Sequence, residues 1–202
     1  MKKYIITILL LLATIFTYSQ QQSVTTQGTE FVTAFIQNSS HSAGESGFEL
    51  SLMVSAKRAC SVTVRNPNST WTTTFNVGAN STYKCIIPSA QHTQCYLTET
   101  TASAVNKGLL ITSTDTISLY SSNFASASFD GSIVLPTTAL GNEYIVQCYP
   151  PVINTSEFSI TATEDNTIVD ITPSVSVSAG TTHSANSTFN VSLNRGQSIF
   201  MK

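Results

Sequence analysis

Charge is the scarcest property of this sequence. Lys, Arg, Asp and Glu make up 10% of its 202 residues, against about 25% in an ordinary soluble domain. Nine basic residues face eleven acidic ones, and beyond Lys2 and Lys3 at the start and the adjacent pair Lys57 and Arg58 there is no basic cluster. A groove that tracks phosphates needs several cations on one face, so nucleic acid is excluded as a partner. Histidine is nearly as rare: His41, His92 and His183 each stand among small polar residues, in stretches that read as loops. A hydrolytic triad needs a nucleophile in a strained turn and a histidine held by an acid, and no G-x-S-x-G occurs. The cysteines form no C-x2-C pair, the usual spacing of a zinc site, and there is no D-x-D-x-D-G loop to hold calcium. Asp115, Asp130, Glu164, Asp165 and Asn166 sit where tight turns favour a short polar side chain. They are not paired on strands across a cleft, as glycoside hydrolysis requires. The expectation is a non-enzyme with no catalytic residues, no cofactor and no metal.

Long apolar runs are confined to the start. MKKYIITILLLLATIFTYSQ places Lys2 and Lys3 before an apolar run from Tyr4 to Phe16, then Thr17 and Ser19. That is the layout of a secretory signal peptide, and the run is shorter than the roughly 18 to 20 apolar residues that span a bilayer. Residues 1–19 therefore read as a signal peptide. The mature chain is expected to be secreted or displayed at a cell surface, without membrane insertion. Export permits disulfides. Cys85 and Cys95 flank the Pro-containing turn IIPSAQH, so the least strained pairing joins them and leaves Cys60 with Cys148; the alternative is four small buried side chains with no bond.

What the chain has in abundance is period-two alternation of apolar and polar residues, the mark of half-buried strands. TEFVTAFIQ (Thr29–Gln37) is apolar on both faces, which fits a strand covered on both sides. FELSLMVSA puts Phe48, Leu50, Leu52 and Val54 on one face, SVTVR repeats the pattern, and the polar turn AKRA between them reads as a hairpin. The same grammar runs through WTTTFNV, STYKCII, GLLITS, TISLYS, SIVLP, EYIVQC, EFSITA, TIVDIT, TFNVSL and SIFMK. No mature segment keeps apolar residues at i, i+3, i+4 and i+7, so little or no helix is expected. The fold class is all-β, an antiparallel β-sandwich-like arrangement.

A hairpin unit recurs. GLLITSTDTISLYSSN carries strand, acidic turn and strand, and FSITATEDNTIVDITP repeats that order. Repetition suggests two stacked β-lobes or one elongated sandwich, with residues 20–149 as a first lobe and 150–202 as a second. The break falls at YPPVINT, where proline cannot donate to a ladder. The loops NSSHSAGESG (Asn38–Gly47) and PSVSVSAGTTHSANS (Pro173–Ser187) are longer than their hairpins need, and binding concentrates on loops of rigid scaffolds. Trp71, Tyr96 and Tyr120 are candidate ligand-binding residues, aromatic rings able to stack on a sugar or a protein surface. For Trp71 the competing role is to cap the core at the start of a strand.

GTEFVTAFIQN, KGLLITSTDTISLYSSN, LPTTALGNEYIVQCY, SEFSITATEDNTIVDITP and FNVSLNRGQSI follow one another in this order. Together they resemble the N-terminal region of the IgGFc-binding protein family, over roughly Gly28 to Lys202. The resemblance implies an extracellular β-rich module with no catalytic residues; with the long Ser/Thr/Asn-rich loops and the aromatic candidates, the expectation is a binding or adhesion module whose partner is an extracellular protein or glycan. Relatives continue into another β segment, so the second lobe is expected to be truncated. The other reading is a structural β module that self-associates in an extracellular assembly.

Overall fold

The computed structural model describes residues 25–38, 45–67, 69–98, 103–126, 128–148 and 156–202. The expected signal peptide, His41 and the expected seam at 149–155 lie outside them. Strands form where apolar residues alternate: β1 (Gln27–Thr33), β2 (Phe35–Ile36), β3 (Glu49–Ala56), β4 (Cys60–Arg65), β5 (Thr72–Val77), β6 (Ser81–Ile86), β7 (Tyr96–Leu97), β8 (Leu109–Ala125) and β9 (Ser128–Val134). They are followed by β10 (Phe158–Thr161), β11 (Thr167–Ile171), β12 (Val177–Ala179), β13 (Thr181–His183), β14 (Phe189–Leu193) and β15 (Ser198–Met201). Helix among the described residues is limited to short turns such as Ser89–Gln91 and His92–Cys95. The protein is all-β and antiparallel, apart from a parallel pairing of β2 with β7 through Phe35↔Tyr96 and Ile36↔Leu97.

β8 is the spine. One of its edges takes β4 against Leu110–Ser113 and β3 against Ile117–Phe124. Its other edge takes β1 and then β9. β5 extends the sheet beyond β4, and β6 extends it beyond β3. Two half-sheets, β5-β4-β8-β1 and β6-β3-β8-β9, thus share one strand. Their inner faces meet in a single cluster that includes Phe31, Leu50, Leu52, Val54, Val62, Val64, Ile111, Ile117 and Leu119.

The two halves join at a bulge in β8, and here the structure corrects the expected hairpins. The register of β1 jumps from Gly28↔Ile117 to Glu30↔Thr112, so Ser113–Thr116 have no partner in β1 and bulge on that side instead of reversing the chain. Bulges bend a strand and re-aim its later residues. Asp115 needs no reversal to satisfy its oxygens: it accepts the Thr116 N–H at 2.6 Å and two guanidinium N–H groups of Arg58 at 2.6 and 2.7 Å. Arg58 lies in AKRA, which is an arch and no hairpin. β3 and β4 do not pair with each other; both pair with β8. GLLITS and TISLYS are one continuous strand.

The second cluster, Ala179, Ile199 and Met201 with Phe158, Ile160, Ile171, Phe189 and Val191, is built by β10–β15, β11–β14 and neighbouring β12–β13. The stretch read as a long loop at Pro173–Ser187 holds the small hairpin β12–β13. Val105 and Ser198 exchange backbone hydrogen bonds at 2.9 and 2.8 Å, and the Gly108 N–H donates to the Gly196 carbonyl at 2.8 Å, tying the last strand to the main sheet.

Two expectations fail on packing grounds. EYIVQC forms no strand: Leu140–Cys148 is exposed throughout, with Ile145 at 92%. A strand needs a partner edge, and this segment pairs with none among the described residues. The expected disulfides Cys85–Cys95 and Cys60–Cys148 are not formed; Cys60, Cys85 and Cys95 are buried thiols and Cys148 is an exposed one. Cys85 faces the core from β6, and Cys95 ends the turn His92–Cys95, where its thiol is buried against Gln91 and His92 carbonyls. Burial pushes the Cys85 thiol to about 11 and the Cys95 thiol to about 12.

Candidate functional site

Side chains directly opposite each other in antiparallel strands share a face. The registers of β6, β3, β8 and β9 therefore draw three rows across the outside of one half-sheet. The first is Lys84–Met53–Tyr120–Ile133, the second Ile86–Ser51–Ser122–Gly131, the third Glu49–Phe124–Phe129. Alternation makes this face inevitable once the core is chosen: Leu50, Leu52, Val54, Ile117 and Leu119 point inward, so Met53, Tyr120 and Phe124 must point outward.

The result is an exposed apolar surface. Tyr120 is 45% and Phe129 64% exposed, and Met53, Ile86, Phe124 and Ile133 lie between 42% and 55%. Small residues floor the middle row, and Phe129 leans over Gly131, where an added Cβ would sit 3.1 Å from the ring. An ion pair between Lys84 and Glu49 at 2.7 Å crosses one corner. The outer face of the other half-sheet is different in kind. There Ser61, Thr63, Thr74, Asn76 and Thr112 stand in register, and Thr63 and Thr74 hydroxyls bond to each other at 2.9 Å. The same fold solvates one half with hydroxyls and leaves the other half apolar. Contiguous apolar surface with a polar surround marks interaction sites.

Of the three aromatic candidates, only Tyr120 lies on this face. Trp71 is half-buried and packs against the core cluster at the entry to β5, its backbone N–H donating to Ser69 Oγ at 3.1 Å. Tyr96 is 1% exposed; its hydroxyl accepts the Asn38 N–H at 2.8 Å, and Phe48 packs against its ring. It presents no surface to a ligand. Phe124, Phe129, Ile86, Met53 and Ile133 were missed. The signal for them was legible in part: outward positions of FELSLMVSA and TISLYSSNF carry Met and Phe where a solvated face would carry Thr or Lys.

At the start of β3 and the end of β6 the face runs into a cavity of about 400 Å³, whose walls include Phe48, Ile86, Ile87, Pro88, His92 and Phe124. His92 is 2% exposed, its Nε2 lies 3.0 Å from the Ile87 carbonyl oxygen, and Phe48 meets its ring edge-on at 5.3 Å. Asp165, Asn166 and His183 are engaged in structure. Asp165 accepts the Arg195 N–H at 3.1 Å beside Asn166, whose φ of 57° is turn geometry. His183 stacks on Phe189 at 3.6 Å.

Comparison with known families gives one finding. The family model described as IgGFc binding protein matches residues 130–202, from the middle of β9 through the second cluster, so over that stretch the resemblance stands. No curated protein and no solved structure matches the chain.

Proposed function

We propose that this chain, whose residues 130–202 match the IgGFc binding protein family, is a non-catalytic module that binds an extracellular protein through the outer face of β6-β3-β8-β9. The observation that carries this reading is the contrast between that apolar face and the Ser/Thr face of the other half-sheet. Interface cores concentrate aromatic and Met side chains and exclude charge, and Tyr120, Phe124, Phe129 and Met53 answer that description. A signal-peptide layout at residues 1–19 supports export, and adhesion is the use an exported binding module of this kind would serve. Binding to Fc is not carried over.

The test is an array of extracellular proteins and glycans probed with the purified chain. A specific protein ligand is expected, and Tyr120→Ala is expected to weaken it at least tenfold. A ligand retained at full affinity by both Tyr120→Ala and Phe124→Ala would remove the face from the proposal.

A second reading, self-association, is favoured by Leu140–Cys148, which exposes Tyr144, Ile145 and Val146. Such a segment can add as a strand to a sheet edge of another copy.

A further inference from the structure

We propose that the cavity beside the apolar face is the anchoring pocket of the interface, and that it takes a tyrosine side chain of the protein partner. The inference rests on the reading of the face as an interface. Ile86 and Phe124 belong to both surfaces, so a partner lying on the face reaches the cavity without a break in contact. At about 400 Å³ the cavity falls within the size range of small-ligand pockets.

The chemistry of the guest is set by His92. A carbonyl oxygen only accepts, so the bond to Ile87 at 3.0 Å assigns the proton to Nε2. In that imidazole tautomer Nδ1 is an acceptor. It is buried, with no hydrogen-bond partner among the described residues. Nearer the face, Ser51, directly opposite Ile86, also has a buried Oγ without a partner, but it does not line the cavity. A wholly apolar guest leaves Nδ1 unsatisfied, and a carboxylate sets acceptor against acceptor. A guest with an apolar ring and one O–H donor fits both the walls and the acceptor. Movement of the Phe48 side chain, edge-on to the imidazole, admits it.

The experiment is a titration of the isotope-labelled protein with the capped tripeptides Gly-Tyr-Gly and Gly-Phe-Gly, followed by amide shifts. The tyrosyl peptide is expected to shift Gly47, Ile86, Ile87 and Phe124 and to bind at least fivefold more tightly than the phenylalanyl one. His92→Phe is expected to abolish that preference. Should His92→Phe not fold, Ile86→Glu, at the exposed mouth, is expected to block the tyrosyl peptide while the ring stays in place. Equal affinity for the two peptides, or shifts confined to other regions, overturns the proposal. So does p-cresol binding without tyrosyl peptide binding, which would assign the cavity to free phenols. The peptides need no identified partner, so the two readings fail separately. A peptide preference with no array ligand counts against the proposed function alone, and an array ligand with no peptide preference counts against the pocket alone.

Discussion

At the scale of single residues, two aromatics separate stability from binding. Trp71 packs on the core and Tyr120 stands on the open face. Truncating a large buried aromatic costs about 3 to 5 kcal/mol, and half-burial puts Trp71→Ala nearer ~2 kcal/mol. Surface substitutions stay within about 0.5 kcal/mol. Thermal denaturation should therefore show a lowered midpoint for Trp71→Ala and little change for Tyr120→Ala, while ligand binding shows the reverse; a large stability loss in Tyr120→Ala would place its ring in the fold. Asp115 supplies a prediction in pH. The hydrogen bonds from the Arg58 guanidinium, aided by the Thr116 N–H, lower its carboxyl from the ordinary 3.8 to about 2. A depressed folded value means stability that is fully present above about pH 4 and lost as pH falls toward about 2. Midpoints of the wild type and Asp115→Asn should differ at about pH 5 and converge near about pH 2. A gap that stays constant over that range would show that the ionised carboxylate is not what the arch needs. The sequence marked Asp115 as a turn residue, because a short carboxylate bonding the next N–H looks the same in a turn and in a bulge. It could not place Tyr96 inside, because the face a short strand buries depends on what lies across from it.

At the scale of elements, alternation predicted most strands and did not predict their partners. SVTVR, WTTTFNV, EFSITA, TIVDIT and SIFMK became β4, β5, β10, β11 and β15 near their expected places. Period two fixes which side chains share a face but carries no information on which edge pairs with which. Hence AKRA read as a hairpin, and β8 read as two strands. The junction of the last strand with the main sheet is likewise a pairing fact that local pattern does not show. Gly108 is the sharp case. An added Cβ there would lie 2.6 Å from the Gly196 oxygen and 2.7 Å from its Cα, both backbone atoms that cannot rotate away. Gly108→Ala must therefore part β8 from the turn before β15. A destabilisation of about 2 kcal/mol or more is expected, in the upper range for single substitutions. Hydrogen exchange at Val105, Gly108 and Ser198 should accelerate more than exchange at Leu52 or Ile111. Uniform acceleration would mean the two clusters unfold as one and the junction has no separate stability.

At the scale of the whole molecule, three surfaces among the described residues differ in chemistry. The hydroxyl face of β5-β4-β8-β1 is solvated, the apolar face of β6-β3-β8-β9 is the one proposed for a protein partner, and Leu140–Cys148 stands apart from both. That segment is chemically a strand, with β-branched Ile145 and Val146 beside Tyr144, yet its backbone finds no ladder among the described residues. Exposed strand-forming backbone is a template for pairing with another chain, and β9 carries a paired neighbour, β8, on one side only in the main sheet. If copies pair through the segment, sedimentation of the wild type should show a mass that rises with concentration. Ile145→Lys, which sets a charge on the most exposed apolar position, should raise the dissociation constant about tenfold or more, since a charge on an edge strand opposes pairing. Tyr120→Ala should leave it unchanged, because the apolar face lies on a different surface. Association abolished by Tyr120→Ala and untouched by Ile145→Lys would transfer self-association to the sheet face, and the partner of that face would then be a second copy of this chain. A monomer at every concentration would leave the face to a foreign protein and remove the self-pairing strand altogether.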